Sequence, residues 1–337
     1  MPAPSARLDG TRRTPEDILV SVLQRSICEY RHRMAYVDRG ERREYHAKRS
    51  QVGLPADSDQ ISTNLPASEE AFEENKPQRT LTLKQAMTPS GASSLAAFAG
   101  VILMASLFGH NLIHLHRPDP NDNDDDMHGE FWRRHRKMDA ILSNTSLSLP
   151  AHLRLPAGMR NANIVFLNMN IHTSTICLHQ AAIFKADKNR LPASVSQESK
   201  VRCITAAAEI ASIMRTISHL DLSCMNPFIS FCLYVAARVF VQYIKSRPED
   251  EQVRASLRFL LQAMQVLKKK NPLTESFLVQ LEVDLEGTGM DNPDNTSRFA
   301  HGLNKGVVRN PHPSFSSFLF RNHHSSGALT HLTSLTS

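Results

Sequence analysis

Cysteine is scarce in this sequence and never paired at short range. Cys28, Cys177, Cys203, Cys224 and Cys232 stand too far apart to form a C-x-x-C unit, and no histidine pair completes a zinc-ligand spacing beside them. A zinc finger built from this chain alone is therefore excluded. Their odd number and apolar, helix-like surroundings predict reduced thiols in or near a core, inside a reducing compartment. Aromatics supply 6% of the residues, and glycine only 13 of the 337 positions. That composition disfavours an all-β sandwich, which needs aromatic strands joined by glycine-rich turns. Arg7, Arg12 and Arg13 are followed by no apolar run, so no secretory signal is visible. The scaffolding of common enzymes is also missing. There is no G-x-S-x-G elbow and no phosphate-binding loop, and Gly287-Thr288-Gly289 lacks the third glycine of a dinucleotide site. His219 and Asp221 are near neighbours without a placed nucleophile, so catalysis is not expected.

What is present points to helices. Hydrophobic residues make up 41% of the chain, enough to bury a real core. Ala, Leu, Ile, Met and long charged side chains dominate, which predicts an all-α fold: an irregular helical array with one largely buried central helix and a disordered C-terminal tail. The net charge of +6 is a weak field over this length. It permits a polyanionic partner without arguing for one.

Residues 1–13 read as a flexible N-terminus. Thr14-Pro15-Glu16-Asp17 combines a hydroxyl cap, proline at the first helical position and carboxylates at the positive end of the helix dipole. Leu19, Leu23, Ile27, Tyr30, Met34 and Val37 then recur at steps of three and four, predicting a long amphipathic helix within 14–49. Residues 50–90 hold Pro55, Pro66, Pro77 and Pro89 and read as a linker with short helical turns at most. Residues 94–116 carry no charge. A membrane span needs about 20 apolar residues, whereas His110, Asn111, His114 and His116 interrupt this run early. A buried central helix ending at Arg117-Pro118 is the favoured reading, and a single membrane span at 94–116 the alternative. Further helices are predicted over 130–143, 163–185, 198–219 and 226–245, then from the Arg247-Pro248-Glu249-Asp250 start to Lys270, and over 274–286. Periodicity ends at Gly287. Residues 287–337 read as a disordered tail, in which Phe315 to Phe320 stands out as a candidate docking motif.

Three charged constellations invite a functional reading. Asp122, Asp124 and Asp126 match the first carboxylates of an EF-hand loop, but Met127 replaces the turn glycine and Arg133 the closing glutamate. A solvated acidic loop ahead of a helix is expected instead. His110 and His114 share a helical face at ligand spacing, yet no third ligand is identifiable, so no metal is expected. Arg133, Arg134, Arg136 and Lys137 form the densest basic run and a candidate nuclear-import signal; Lys268 to Lys270 form a second, placed to favour a helix C-terminus.

Several word-like stretches resemble one family. Ile61 to Phe72, Ala99 to Leu103 leading to His114-Leu-His-Arg-Pro118, Phe131 to Leu142, Ser148 to Pro156, Phe166 to Thr173, and Asn271 to Phe277 resemble the fungal-specific transcription factor domain. That domain is the helical regulatory region of fungal binuclear zinc-cluster transcription factors. The resemblance implies an all-α regulatory domain over 91–286 and a nuclear location. It implies contacts with the transcription machinery or other regulatory proteins, and homo- or heterodimerisation. The family's six-cysteine cluster is not found in this chain, so no cofactor is expected here. Zinc would belong only to that cluster, and direct DNA binding is not expected. A cluster encoded upstream of Met1 would explain its absence. A helical protein-interaction module unrelated to transcription is a further alternative.

Overall fold

The computed structural model describes residues 63–116, 123–222 and 225–285. The expected flexible start, the helix within 14–49 and the tail 287–337 lie outside them, as do Cys28 and Cys224. The described residues are mainly helical, with no strand among them beyond a single bridge between Asn64 and Thr82.

Three short helices come first: α1 (Glu69–Glu73), α2 (Leu83–Ala86) and α3 (Pro89–Ala92). Each is started by a hydroxyl. Ser68, Thr82 and Thr88 accept from backbone N–H groups three residues on, and Gln85 completes a capping box with Thr82. Of the linker expected over 50–90, residues 50–62 lie outside the described residues, and the rest joins the packed body, where Leu65, Leu83 and Ala86 are buried in the main core. Short polar helices hide this from periodicity, which needs more than one turn to show.

The body consists of α4 (Ala97–His116), α5 (Glu130–Ser148), α6 (Ala162–Lys188), α7 (Ala193–Ile217), α8 (Ile229–Ser246), α9 (Glu251–Lys268) and α10 (Leu273–Leu285). Helix α6 is the hub: α7 lies along one side, α4 and α5 along another, and α8 packs against both α6 and α7. Helices α9 and α10 close over α8. Such surrounding explains why α8 is buried over most of its length with Arg238 its only charge before Lys245, and why α6 buries polar side chains such as Asn170, Thr173 and His179 among its apolar ones.

The ends follow local chemistry. Asn161 caps α6 by accepting from the backbone of Asn163 and Ile164. At its far end Arg190 takes a left-handed φ of 54°, and Leu191 donates back to Ala186 at 2.9 Å, closing the helix in the Schellman manner. The starts of α6 and α10 fall within one residue of the sequence reading, α8 starts three residues late at Ile229, and α7 and α9 differ for a clearer local reason. Helix α7 begins directly after Pro192, five residues early, and α9 begins only after Asp250, whose carboxylate accepts from Val253 at 3.1 Å. A usable cap outweighs the proline two residues before it.

Candidate functional site

Helix α5 places Asp139 and Ser143 one turn apart on the side facing α6 and α7. His179 of α6 lies between Asp139 and Ser199 of α7. Its Nε2 is 3.2 Å from Asp139 Oδ1, and its Nδ1 3.2 Å from Ser199 Oγ. Arg202, one turn beyond Ser199, donates to the same carboxylate oxygen and to Ser143 Oγ at 3.1 Å. Three helices are thus joined through one carboxylate. The hydrogen bond from His179, helped by Arg202 and opposed by burial, holds Asp139 down at about 2.

The order Ser199, His179, Asp139 reproduces the connectivity of a nucleophile, base and orienting acid. It is not built for acyl transfer. Ser199 is 4% exposed within a helix, and Arg202 already occupies the carboxylate. An open hollow of about 260 Å³ lies elsewhere, on the turn Pro156 to Asn161. What the arrangement can do is fix the relative position of α5, α6 and α7.

A column of flat rings continues from this lock. His135 of α5 meets His179 edge-on at 5.2 Å, and His114 of α4 stacks on Phe131 at 4.8 Å. Burial, then the neighbouring His179 and His114, push His135 down to about 3, so it is a neutral core group. Phe131 and Trp132 form a small second core with Ala182 and Ala186. Lys185 lies over the Phe131 ring at 5.3 Å and pairs with Asp124, whose backbone carbonyl accepts from Trp132 Nε1 at 3.0 Å. Burial works against the Asp124 carboxylate, but Lys185 outweighs it and keeps the group below its ordinary value. The acidic loop is thus not simply solvated: Asp124 ties it to α6.

The sequence-predicted groups disperse. Arg133, Arg136 and Lys137 are exposed on α5, Arg134 is half-buried, and His135 between them is buried. Arg133 pairs with Glu130, and Arg136 donates to the Met127 carbonyl at 2.9 Å. His114 is committed to the ring column, and His219 and Asp221 are exposed beyond the end of α7. Among the described residues, no group of three or more His, Cys, Asp or Glu could hold a metal ion. Cys177, Cys203 and Cys232 are buried free thiols, with Cys232 pushed up to about 12 by burial. Sequence reading missed Asp139, His179, Ser199 and Arg202 as a set. The polar pair His179 and Gln180 does not single them out, because Asn168, Asn170 and His172 to Thr175 of the same helix are polar as well.

Because Asp139 is held below its unfolded value near 3.9, the unfolded chain takes up this proton first as pH falls. The lock is at full strength above about pH 4 and is lost as pH falls towards 2. Asp139→Asn is expected to cost about 1–2 kcal/mol at pH 7, discounted for partial exposure, and to flatten the acid limb of stability. Urea titrations at pH 7 and pH 3 check this; an unaltered acid limb in the variant would count against the lock.

No protein-family model matches the chain, and no solved structure matches it. It is similar to fungal transcription factors. Over 226 residues it is 26% identical to the pigment biosynthesis transcriptional activator pigB of Monascus ruber, covering 66% of this chain and 40% of that protein. Over 271 residues it is 26% identical to a transcription factor of Aspergillus terreus, covering 76% of this chain and 43% of that protein. The chain therefore aligns with less than half the length of either relative. Both relatives are named as transcription factors and not as enzymes.

Proposed function

We propose that this chain is the helical regulatory part of a fungal transcription regulator, acting by protein contacts rather than by reading DNA itself. The observation that carries the reading is similarity to two proteins named as transcription factors, over 66% and 76% of the chain. The five dispersed cysteines support the second half of the proposal, since they cannot form a six-cysteine zinc cluster. Its place of action is the nucleus, reached through the exposed Arg133, Arg136 and Lys137 with Arg134 beside them. Its partners are other regulatory proteins or the transcription machinery, with dimerisation through surfaces of the helical body. Zinc enters only through a six-cysteine cluster, which a longer form of the protein or a partner would supply.

The uncharged helix α4 is long and apolar enough to cross a membrane, but over half of its apolar stretch is buried inside the folded body. Such burial favours a core helix over a span.

Two measurements test the proposal. Tethered to a reporter promoter through an unrelated DNA-binding domain in a fungal cell, the full chain is expected to change expression severalfold. Offered a pool of random duplexes with and without zinc at physiological salt, the same chain is expected to enrich none. A silent reporter with the fusion excluded from nuclei overturns the regulatory role. Zinc-dependent, sequence-selective enrichment overturns the division of labour.

A further inference from the structure

Two surface features of opposite character lie on one side of the body. The first is on α1, a helix with no buried residue. Its Phe72 is 68% exposed, and the exposed Glu69, Glu70, Glu73 and Glu74 flank it in sequence. Among the described residues, only Glu74 of these four has an ion-pair partner, Lys76 at 2.6 Å. In a chain of net charge +6 this is a local excess of negative charge around an uncovered ring. The second feature is the hollow of about 260 Å³ on the turn Pro156 to Asn161. Pro156, Ala157, Gly158 and Met159 line it mainly with apolar atoms, and Arg160 is exposed beside them. Arg154 adds a second positive charge nearby, since its guanidinium donates only to the neutral carbonyls of Leu147 and Leu149. Pockets for small-molecule ligands measure roughly 300–1,000 Å³, so this hollow is sized for a single side chain. The two features are neighbours through His152. A Cβ on Gly158 would stand 3.0 Å from the His152 carbonyl oxygen, and His152 is within electrostatic reach of α1. The Glu70 carboxyl is held below its ordinary value first by hydrogen bonds from its own backbone N–H and from Ser68, and then by His152.

We propose that this side of the molecule pairs with the same side of a second copy, each Phe72 entering the hollow between Pro156 and Arg160 of the other chain. The proposal rests on the dimerisation inferred above and gives it a surface. A two-fold dimer needs both halves of a contact on one patch, because what each chain gives it must also receive. Ring and hollow meet that requirement, and so do the glutamates of α1 and the arginines at 154 and 160. The ring does not fill the hollow of its own chain, where it stands exposed. An aromatic anchor in a pocket supplies affinity, and opposite charges around it fix the register and reject other partners. Whole chains of net charge +6 repel one another, so the contact depends on this local match. Two ring anchors support a reversible dimer, with a dissociation constant in the micromolar range.

The test is sedimentation equilibrium of the full chain over a range of concentrations. Phe72→Ala trims an exposed ring and Arg160→Glu reverses an exposed charge, so both variants are expected to fold, which circular dichroism checks. The unaltered chain is expected to dimerise at micromolar concentration, and each variant to weaken the dimer at least tenfold. Combining Arg160→Glu with Glu69→Arg and Glu73→Arg exchanges the charges across the contact and is expected to recover most of that loss. An unaltered chain that stays monomeric well above micromolar concentration would overturn the proposal. So would a dimer that Phe72→Ala or Arg160→Glu leaves as tight as before, since the ring would then be seated elsewhere or nowhere. The reporter fusion described above keeps the two readings apart. A monomeric chain that still changes expression overturns this surface and leaves the regulatory role standing, whereas a dimer broken by both variants in a chain that leaves the reporter silent does the reverse.

Discussion

Phe228→Ala is expected to lower stability by about 3–5 kcal/mol, a large share of the roughly 5–15 kcal/mol that holds a domain together. Phe228 sits at the turn entering α8, 2% exposed, and its ring meets three others. Phe108 of α4 lies edge-on at 5.7 Å, Phe166 of α6 edge-on at 6.0 Å, and Phe231 of α8 at 4.9 Å. Removing it opens a cavity where three helices converge, and rigid helices collapse poorly into such a hole. Phe228→Leu keeps much of the volume and is expected to cost less than half as much. Denaturant midpoints of the two variants decide the matter; equal midpoints would show that the site collapses freely.

The second large effect concerns α10. Arg238 of α8 and Asp284 of α10 form an ion pair at 2.9 Å with side chains only 4% and 11% exposed. Arg238 also reaches Tyr234 Oη at 3.2 Å, and Tyr234 stacks on Phe277 of α10 at 4.8 Å. Burial raises the Asp284 carboxyl above its ordinary value even though Arg238 and Lys245 pull it down, so the pair stands at a net desolvation cost. Asp284→Ala leaves the guanidinium buried without its carboxylate and is expected to cost about 3–5 kcal/mol. The double variant Arg238→Met with Asp284→Leu removes both charges and is expected to recover most of that loss. A double variant as unstable as the single one would mean that shape, not charge, fixes α10.

Among the described residues, sequence periodicity revealed every helix longer than three turns, because stripes at three and four residues are set by the helix itself. It also marked α8 as surrounded on most sides, since its run from Phe228 to Val241 has only Arg238 as a charge. It did not reveal the contribution of Leu65, Leu83 and Ala86 to the core. Isolated apolar residues in polar, proline-rich stretches have no period to betray them. The lock at Asp139 was hidden for another reason. Its members come from three helices, up to 63 positions apart, and each alone looks like an ordinary polar residue. Asp124 looked solvated because its partner, Lys185, is 61 residues away. Caps were only half legible: the Arg247-Pro248-Glu249-Asp250 signature located the start of α9 but not its cap, which is Asp250 because its carboxylate reaches the Val253 N–H.

The central place of α6 has a consequence in time as well as in space. During synthesis α6 is complete at Lys188, but the last helix that packs against it, α8, ends at Ser246. Those roughly 60 intervening residues take about 3–12 s at ordinary translation rates of 5–20 residues per second. For that interval the side of α6 that packs against α8 has left the ribosome uncovered. The newborn chain thus offers that surface to a chaperone from the emergence of Lys188 until α8 arrives to cover it.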